Sequence, residues 1–196
     1  MADGDCVSTD IAYGPYLTEY NWDGVATAYK PANAPAGWFS IGITESVQRI
    51  NRQNAGQDIT ATQFGDTVID GIYTGGNTFA SIVGKEWFAN SARLLYPWGG
   101  TYGTIGPIGA SMCDAAGALR LTPIAGGRAA AGTGTAIMGG AFLFRRAIMS
   151  NAANVELLLG NTERLLPFTF QCFPYLLDSD SAYHWFEYFD DTANIP

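Results

Sequence analysis

Charge and imidazole are scarce in this chain. Charged residues make up 14% of its 196 positions, against roughly a quarter in an average soluble domain, and there is one histidine, His184. A histidine metal cluster is therefore excluded. His184 stands in Tyr183-His184-Trp185-Phe186, the setting of a packed or surface aromatic ring more than of a catalytic base. The three cysteines, Cys6, Cys113 and Cys172, contain no Cys-x-x-Cys pair, so a structural zinc site is unsupported, and their odd number and wide spacing fit free thiols better than a disulfide framework. Reduced, mostly buried thiols are expected. Lysine is limited to Lys30 and Lys85, and the net charge is −8. With so few cations to displace counterions, the chain is not a conventional binder of phosphate backbones or anionic lipid.

Long hydrophobic runs are missing too. The longest uncharged stretch, 94–113, is broken by Pro97, Pro107 and five glycines, so no membrane-spanning helix is expected. The first residues, Met1-Ala2-Asp3-Gly4-Asp5-Cys6, lack the basic region and apolar core of a signal peptide. The expectation is a chain made and used inside a cell or released by lysis. Nucleotide loops fail residue by residue. Before Gly84-Lys85 the first glycine of a phosphate loop is replaced by Phe79, and Glu86 stands where Ser or Thr is needed. After Gly132-Thr133-Gly134 the third glycine position is Ile137, and Gly109-Ala110-Ser111-Met112-Cys113 lacks the closing glycine of a nucleophile elbow. Asp66 and Asp70, four apart, read as solvated strand ends before they read as an acid and base.

What is abundant is apolar and turn-forming: 47% hydrophobic residues, 24 glycines and 9 prolines. That mix describes turns joining packed strands, with some surface meant to be covered. Residues 1–37 read as an irregular or partly extended arm, and 38–196 as a single domain. From Trp38, the residues Phe39, Ile41 and Ile43 alternate with Ser40, Gly42 and Thr44, predicting a strand to Val47 with one apolar and one small polar face. Residues 48–65 are polar and predict a long projecting hairpin with a turn at Asn54-Ala55-Gly56. Thr67–Tyr73, a tight turn at Thr74-Gly75-Gly76-Asn77 and Thr78–Phe88 predict a second, antiparallel pair. Asn90 is placed to cap a short helix to Tyr96, with Leu94 and Leu95 facing the sheet. Further strands are expected at 119–124, 135–149, 165–173 and 183–189, with 155–159 as strand or helical turn. The fold class expected is mainly β: two packed antiparallel sheets, a sandwich or barrel, with one short flanking α-helix and the long hairpin.

The segment Gly65-Asp66-Thr67-Val68-Ile69-Asp70-Gly71-Ile72-Tyr73-Thr74-Gly75-Gly76-Asn77-Thr78-Phe79, followed by Val83-Gly84-Lys85-Glu86-Trp87, resembles the central hairpin of bacteriophage tail tube proteins. Leu165-Leu166-Pro167-Phe168-Thr169-Phe170-Gln171-Cys172-Phe173-Pro174-Tyr175 is similar to their C-terminal strand. The order of elements from 38 to 175 follows that family, whereas the arm and 99–134 match nothing in it. The resemblance implies a virion tail subunit assembled in the host cytoplasm. It implies hexameric rings stacked into a tube for DNA ejection, other tail proteins as partners, and no membrane insertion, cofactor, metal or bond chemistry. Ser40, Thr44 and Ser46, on the small polar face, are the expected lumen lining, joined by Asp66 and Asp70. Arg49, Arg52, Asn54, Gln57 and Asp58 are the expected contacts between rings. Two alternatives stay open: a tail terminator or other neck ring subunit, and a monomeric β-sandwich module whose Trp and Tyr side chains line a ligand groove.

Overall fold

Leu166, Phe168, Phe170 and Cys172 are all buried in the computed structural model, and the intervening Pro167, Thr169 and Gln171 are half-buried on the opposite face. The structure describes residues 16–23, 25, 30, 34–44, 48–61, 67–87, 89–95, 108–123, 141–150, 165–177 and 181–189. In chain order the elements are β1 (Tyr16–Asn21), β2 (Trp38–Ser40), β3 (Arg49–Ala61), β4 (Thr67–Gly84), α1 (Ala89–Leu94), β5 (Gly117–Pro123), β6 (Ala141–Met149), β7 (Leu166–Cys172), β8 (Tyr175–Leu177), β9 (Ala182–His184) and β10 (Glu187–Phe189). The protein is mainly β and sandwich-like, with one short helix. An eight-stranded sheet runs in the order β2-β1-β5-β6-β7-β4-β3 with β10 also on β6, and β8 pairs β9 separately.

All these pairings are antiparallel, and the main sheet curls over its own core. In a flat sheet β1 and β7, three strands apart, would lie about 14 Å from one another. Instead the Tyr20 ring of β1 stacks on Phe170 of β7 at 5.8 Å and meets Trp22 edge-on at 5.0 Å. The Tyr20 hydroxyl donates to the Ala147 carbonyl at 2.8 Å and accepts from the Gly117 amide at 2.9 Å. Burial pushes its pKa up, so the phenol stays neutral and keeps both bonds. Gly117 permits this approach, because a Cβ there would lie 2.4 Å from the Asn21 carbonyl oxygen and 2.6 Å from the Tyr20 hydroxyl. The seam is drawn together by Ile41, Thr44 and Gln48. Ile41 donates to the Thr18 carbonyl, Thr44 bridges Gly84, and the Gln48 side-chain amide donates to the Tyr16 carbonyl and the Thr18 hydroxyl.

Several local expectations are corrected. Residues 16–22, expected within an irregular or partly extended arm, are extended but integral to the domain: β1 lies between β2 and β5, and Thr18, Tyr20 and Trp22 are buried. The strand expected from Trp38 to Val47 stops at Ser40, because Gly42 takes a positive φ of 102° and the chain turns there. Ile41 stays in the core while Ile43 is 66% exposed. Neither expected turn reverses the chain. Asn54-Ala55-Gly56 lies inside β3 and Thr74-Gly75-Gly76-Asn77 inside β4, and the two segments face one another across a register shift. Gly75, at φ 131°, adopts the conformation the shift needs, so turn chemistry produces a bulge in place of a reversal. Thr67–Tyr73 and Thr78–Phe88 therefore do not pair with each other. Residues 67–84 are one strand, flanked by β3 and β7.

The helix begins at Ala89, so Asn90 lies inside it and accepts from the Arg93 guanidinium at 3.4 Å. Leu94 and Leu95 are buried as expected. The last aromatic strand is two strands, because Phe186 leaves the line to pack on Phe142 and Phe144. β7 and β10 share one edge of β6: Cys172 stands opposite Ala147, and Glu187–Phe189 opposite Leu143–Ala141. β10 therefore resumes the line of β7, and the described residues between them, 173–177 and 181–186, make an excursion from it that carries the paired strands β8 and β9. The expected segment at 155–159 lies outside the described residues.

Replacing Tyr20 with Phe keeps the ring and strands a buried amide and a buried carbonyl. We expect a loss of about 1–3 kcal/mol of folding free energy, read as a lower urea midpoint at unchanged m-value.

Candidate functional site: an open-edged ribbon

β4 has eighteen residues, but β7 pairs only Thr78–Gly84. From Thr67 to Asn77 the edge of β4 that faces away from β3 has no strand partner among the described residues, and β3 ends the sheet order with its own outer edge open. The two strands thus leave the body as a ribbon that reaches about 35 Å beyond the last residue held by β7. Every residue described from Asn51 to Thr60 and from Thr67 to Thr74 is exposed. Two register shifts, between Ala55 and Gly56 and between Ile59 and Thr60, leave Thr74 and Ile69 of β4 without an opposite number.

Large apolar side chains sit on both ribbon faces. Gln57 pairs Ile72 and Ile59 pairs Asp70 on one face, while Gly56 pairs Tyr73 and Thr60 pairs Val68 on the other. Val68, Ile69, Ile72 and Tyr73 are each more than half exposed. A lone two-stranded hairpin is marginal in water, and open edges with apolar faces are templates for strand addition or for packing against another surface.

Charge is polarised along the ribbon. Between Gln53 and Gly84 the sequence has no lysine or arginine, and its acids are Asp58, Asp66 and Asp70. The root carries Arg49 and Arg52 on β3. Cross-strand pairs place Arg49, Ser81 and Thr169 in one row over β3, β4 and β7. With Val83 and Pro167 beside it, that row lines a shallow groove of about 230 Å³. Pro167 is tolerated in β7 because Thr169 turns its carbonyl to Ser150 on the β6 side. Two residues earlier, the missing proline N–H points past the end of β6.

The residues expected at the lumen are divided by the fold. Ser40 ends β2, exposed, with its hydroxyl accepting from the Gly42 amide at 3.1 Å. Thr44 is half-buried beyond the Gly42 turn and accepts from Gln48 at 3.1 Å. Asp70 stands far out on the ribbon and accepts from the Gly71 amide at 2.7 Å. Ser46 and Asp66 lie outside the described residues. The expected ring contacts Arg49, Arg52, Asn54, Gln57 and Asp58 all lie along β3, yet alternation sends Arg49 and Gln57 to one face and Arg52, Asn54 and Asp58 to the other. Sequence reasoning passed over Val68, Ile69, Ile72 and Tyr73. Their signal was present: adjacent apolar residues in a strand point to opposite faces, so two consecutive pairs imply that neither face is meant for water.

A second polar cluster fixes the excursion at the other side of the fork. Arg145 of β6 pairs with Glu187 of β10, and the Tyr175 hydroxyl donates to the same carboxylate at 2.7 Å. The Arg145 guanidinium lies 5.7 Å from the Tyr175 ring centre, and the His184 ring is 6.3 Å from Tyr175. Partial burial acts to raise the Glu187 pKa, but the bonds from Arg145 and Tyr175 outweigh it and hold the carboxyl below its ordinary value of 4.5. Cys113 and Cys172 are both free thiols. Among the described residues, no three His, Cys, Asp or Glu side chains are grouped to hold a metal ion, and no helix is long and apolar enough to cross a membrane.

Because the folded pKa of Glu187 is depressed, its contribution to stability is complete above the unfolded value and is lost as pH falls through the folded one. The parent should therefore lose more stability than Glu187→Gln between pH 6 and pH 3, as measured by urea unfolding at each pH. Comparison of the sequence with protein-family models and with curated proteins returns no match.

Proposed function

We propose that this chain is a structural subunit of a bacteriophage tail tube, which assembles as hexameric rings stacked into a channel for DNA. The observation that carries the proposal is the ribbon: two strands with open edges, exposed apolar side chains on both faces and no cover among the described residues. Such a surface is stable when identical neighbours supply the missing strands and packing. The scarcity of charge agrees, since a subunit enclosed by copies of itself needs less solvated surface than a monomer. The net charge of −8 agrees as well, because a wall poor in cations gives a passing polyanion little to bind.

The body has its own core in Tyr20, Trp22, Phe144, Phe168 and Phe170, and none of the ribbon beyond Gln53 and Asn77 contributes to it. Gln53 and Asn77 are directly paired, so joining them by an Asn-Gly turn removes the distal ribbon without cutting the body. The trimmed chain should keep its circular dichroism and cooperative unfolding but remain monomeric at concentrations where the parent forms rings or tubes by sedimentation and negative-stain microscopy. Tubes of normal length from the trimmed chain, or a parent that is strictly monomeric at high concentration, would sink the proposal.

A further inference from the structure

Arg49 is exposed at the root of the ribbon, and among the described residues it has no ion-pair partner. It stands in the row with the Ser81 and Thr169 hydroxyls, and Val83 and Pro167 form an apolar row beside them. One guanidinium with two flanking hydroxyls is a donor set for a carboxylate, and the apolar neighbours add a requirement for aliphatic contact. The distal ribbon offers the complement. Asp70 is opposite Ile59 and two residues from Ile72, all three on one face, which makes a carboxylate set between two exposed isoleucines.

The subunit cannot satisfy itself. Arg49 is paired with Ser81, and Asp70 lies eleven residues further along β4, a separation of about 36 Å along the strand. We infer that the groove at Arg49, Ser81 and Thr169 receives the distal ribbon of a second copy of this chain, with Asp70 of that copy on Arg49 and its Ile59 and Ile72 against Val83 and Pro167. Charge complementarity selects this occupant: the ribbon beyond Gln53 has acids and no cation, and the root has Arg49 and Arg52. The contact joins two different surfaces, so it propagates head to tail and leaves every interior copy with both surfaces filled. Asp70, expected at the lumen wall on sequence grounds, is thereby given to a contact between copies.

This contact rests on the tube reading, and charge exchange tests the two apart. The single variants Arg49→Glu and Asp70→Arg should each fold, since both sites are exposed, and each should raise the critical concentration for tube formation at least tenfold. The double variant R49E/D70R should return it to within about threefold of the parent, because the pair is restored with its signs reversed. If either single variant forms tubes at the parent's concentration, or if both fail and the double variant does not recover, the contact is wrong while the tube reading stands. A parent that never assembles overturns both. Circular dichroism verifies folding, and Arg49→Gln replaces Arg49→Glu in the same comparison if the latter does not fold.

Discussion

Every backbone amide and carbonyl taken from water must find a partner, and in this protein that requirement falls most heavily on β4. Four of its eighteen residues, 78–81, lie between β3 and β7, and that end of the strand is the floor of the core, where Thr78, Ala80 and Ile82 face inward. From Thr67 to Asn77 it is paired on one side only among the described residues. A single strand thus belongs to the stable body at one end and to an unsaturated surface at the other, and the boundary falls at Thr78, where it leaves β7. The core of the body is built without the ribbon, since no described residue beyond Gln53 and Asn77 belongs to it. The ribbon, extended from a finished scaffold, keeps its strand geometry while its edge and its apolar side chains remain available.

The rigidity of that scaffold is traceable to Tyr20. One phenol ties the backbones of β5 and β6 through Gly117 and Ala147, and its ring reaches across to Phe170. Strands three apart in the sheet are thereby fixed in a curled arrangement, and the seam at Ile41, Thr44 and Gln48 is held shut against them. The Arg145–Glu187–Tyr175 cluster plays the corresponding part at the fork, where β10 takes over the edge of β6 from β7.

Alternation made some of this legible in the sequence. In β7 every second residue is buried, and the pattern Leu-x-Phe-x-Phe-x-Cys states it outright. Thr18, Tyr20 and Trp22 alternate in the same way, but the surrounding Gly, Pro and Ala hid a strand only six residues long. The glycines of β3 and β4 were misleading for a different reason. A positive-φ glycine serves a turn and a bulge equally well, and the choice between them is made by whether a partner strand lies alongside, which is long-range information. The arginines of β3 were identified as surface contacts from composition, but the row they form with Ser81 and Thr169 depends on the registers of two ladders, which no local pattern encodes. The exposed apolar residues were half legible: the consecutive pairs Val68-Ile69 and Ile72-Tyr73 show that neither strand face is meant for water, but no local pattern says what covers them.

Both bulges of the ribbon add their extra residue to the same strand. Between the pair Ala55 and Gly75 and the pair Ala61 and Thr67, β4 contains two residues more than β3, a path difference of roughly 7 Å. A straight ladder cannot hold two rails of unequal length, so the ribbon must coil, and the right-handed twist that bulges accentuate gives the coil a fixed hand. The ribbon is therefore a chiral arm with a built-in lean. Its lean is fixed within the chain by the two residues of β4 that have no opposite number, Ile69 and Thr74, so any copies arranged about a common axis would all lean the same way around it.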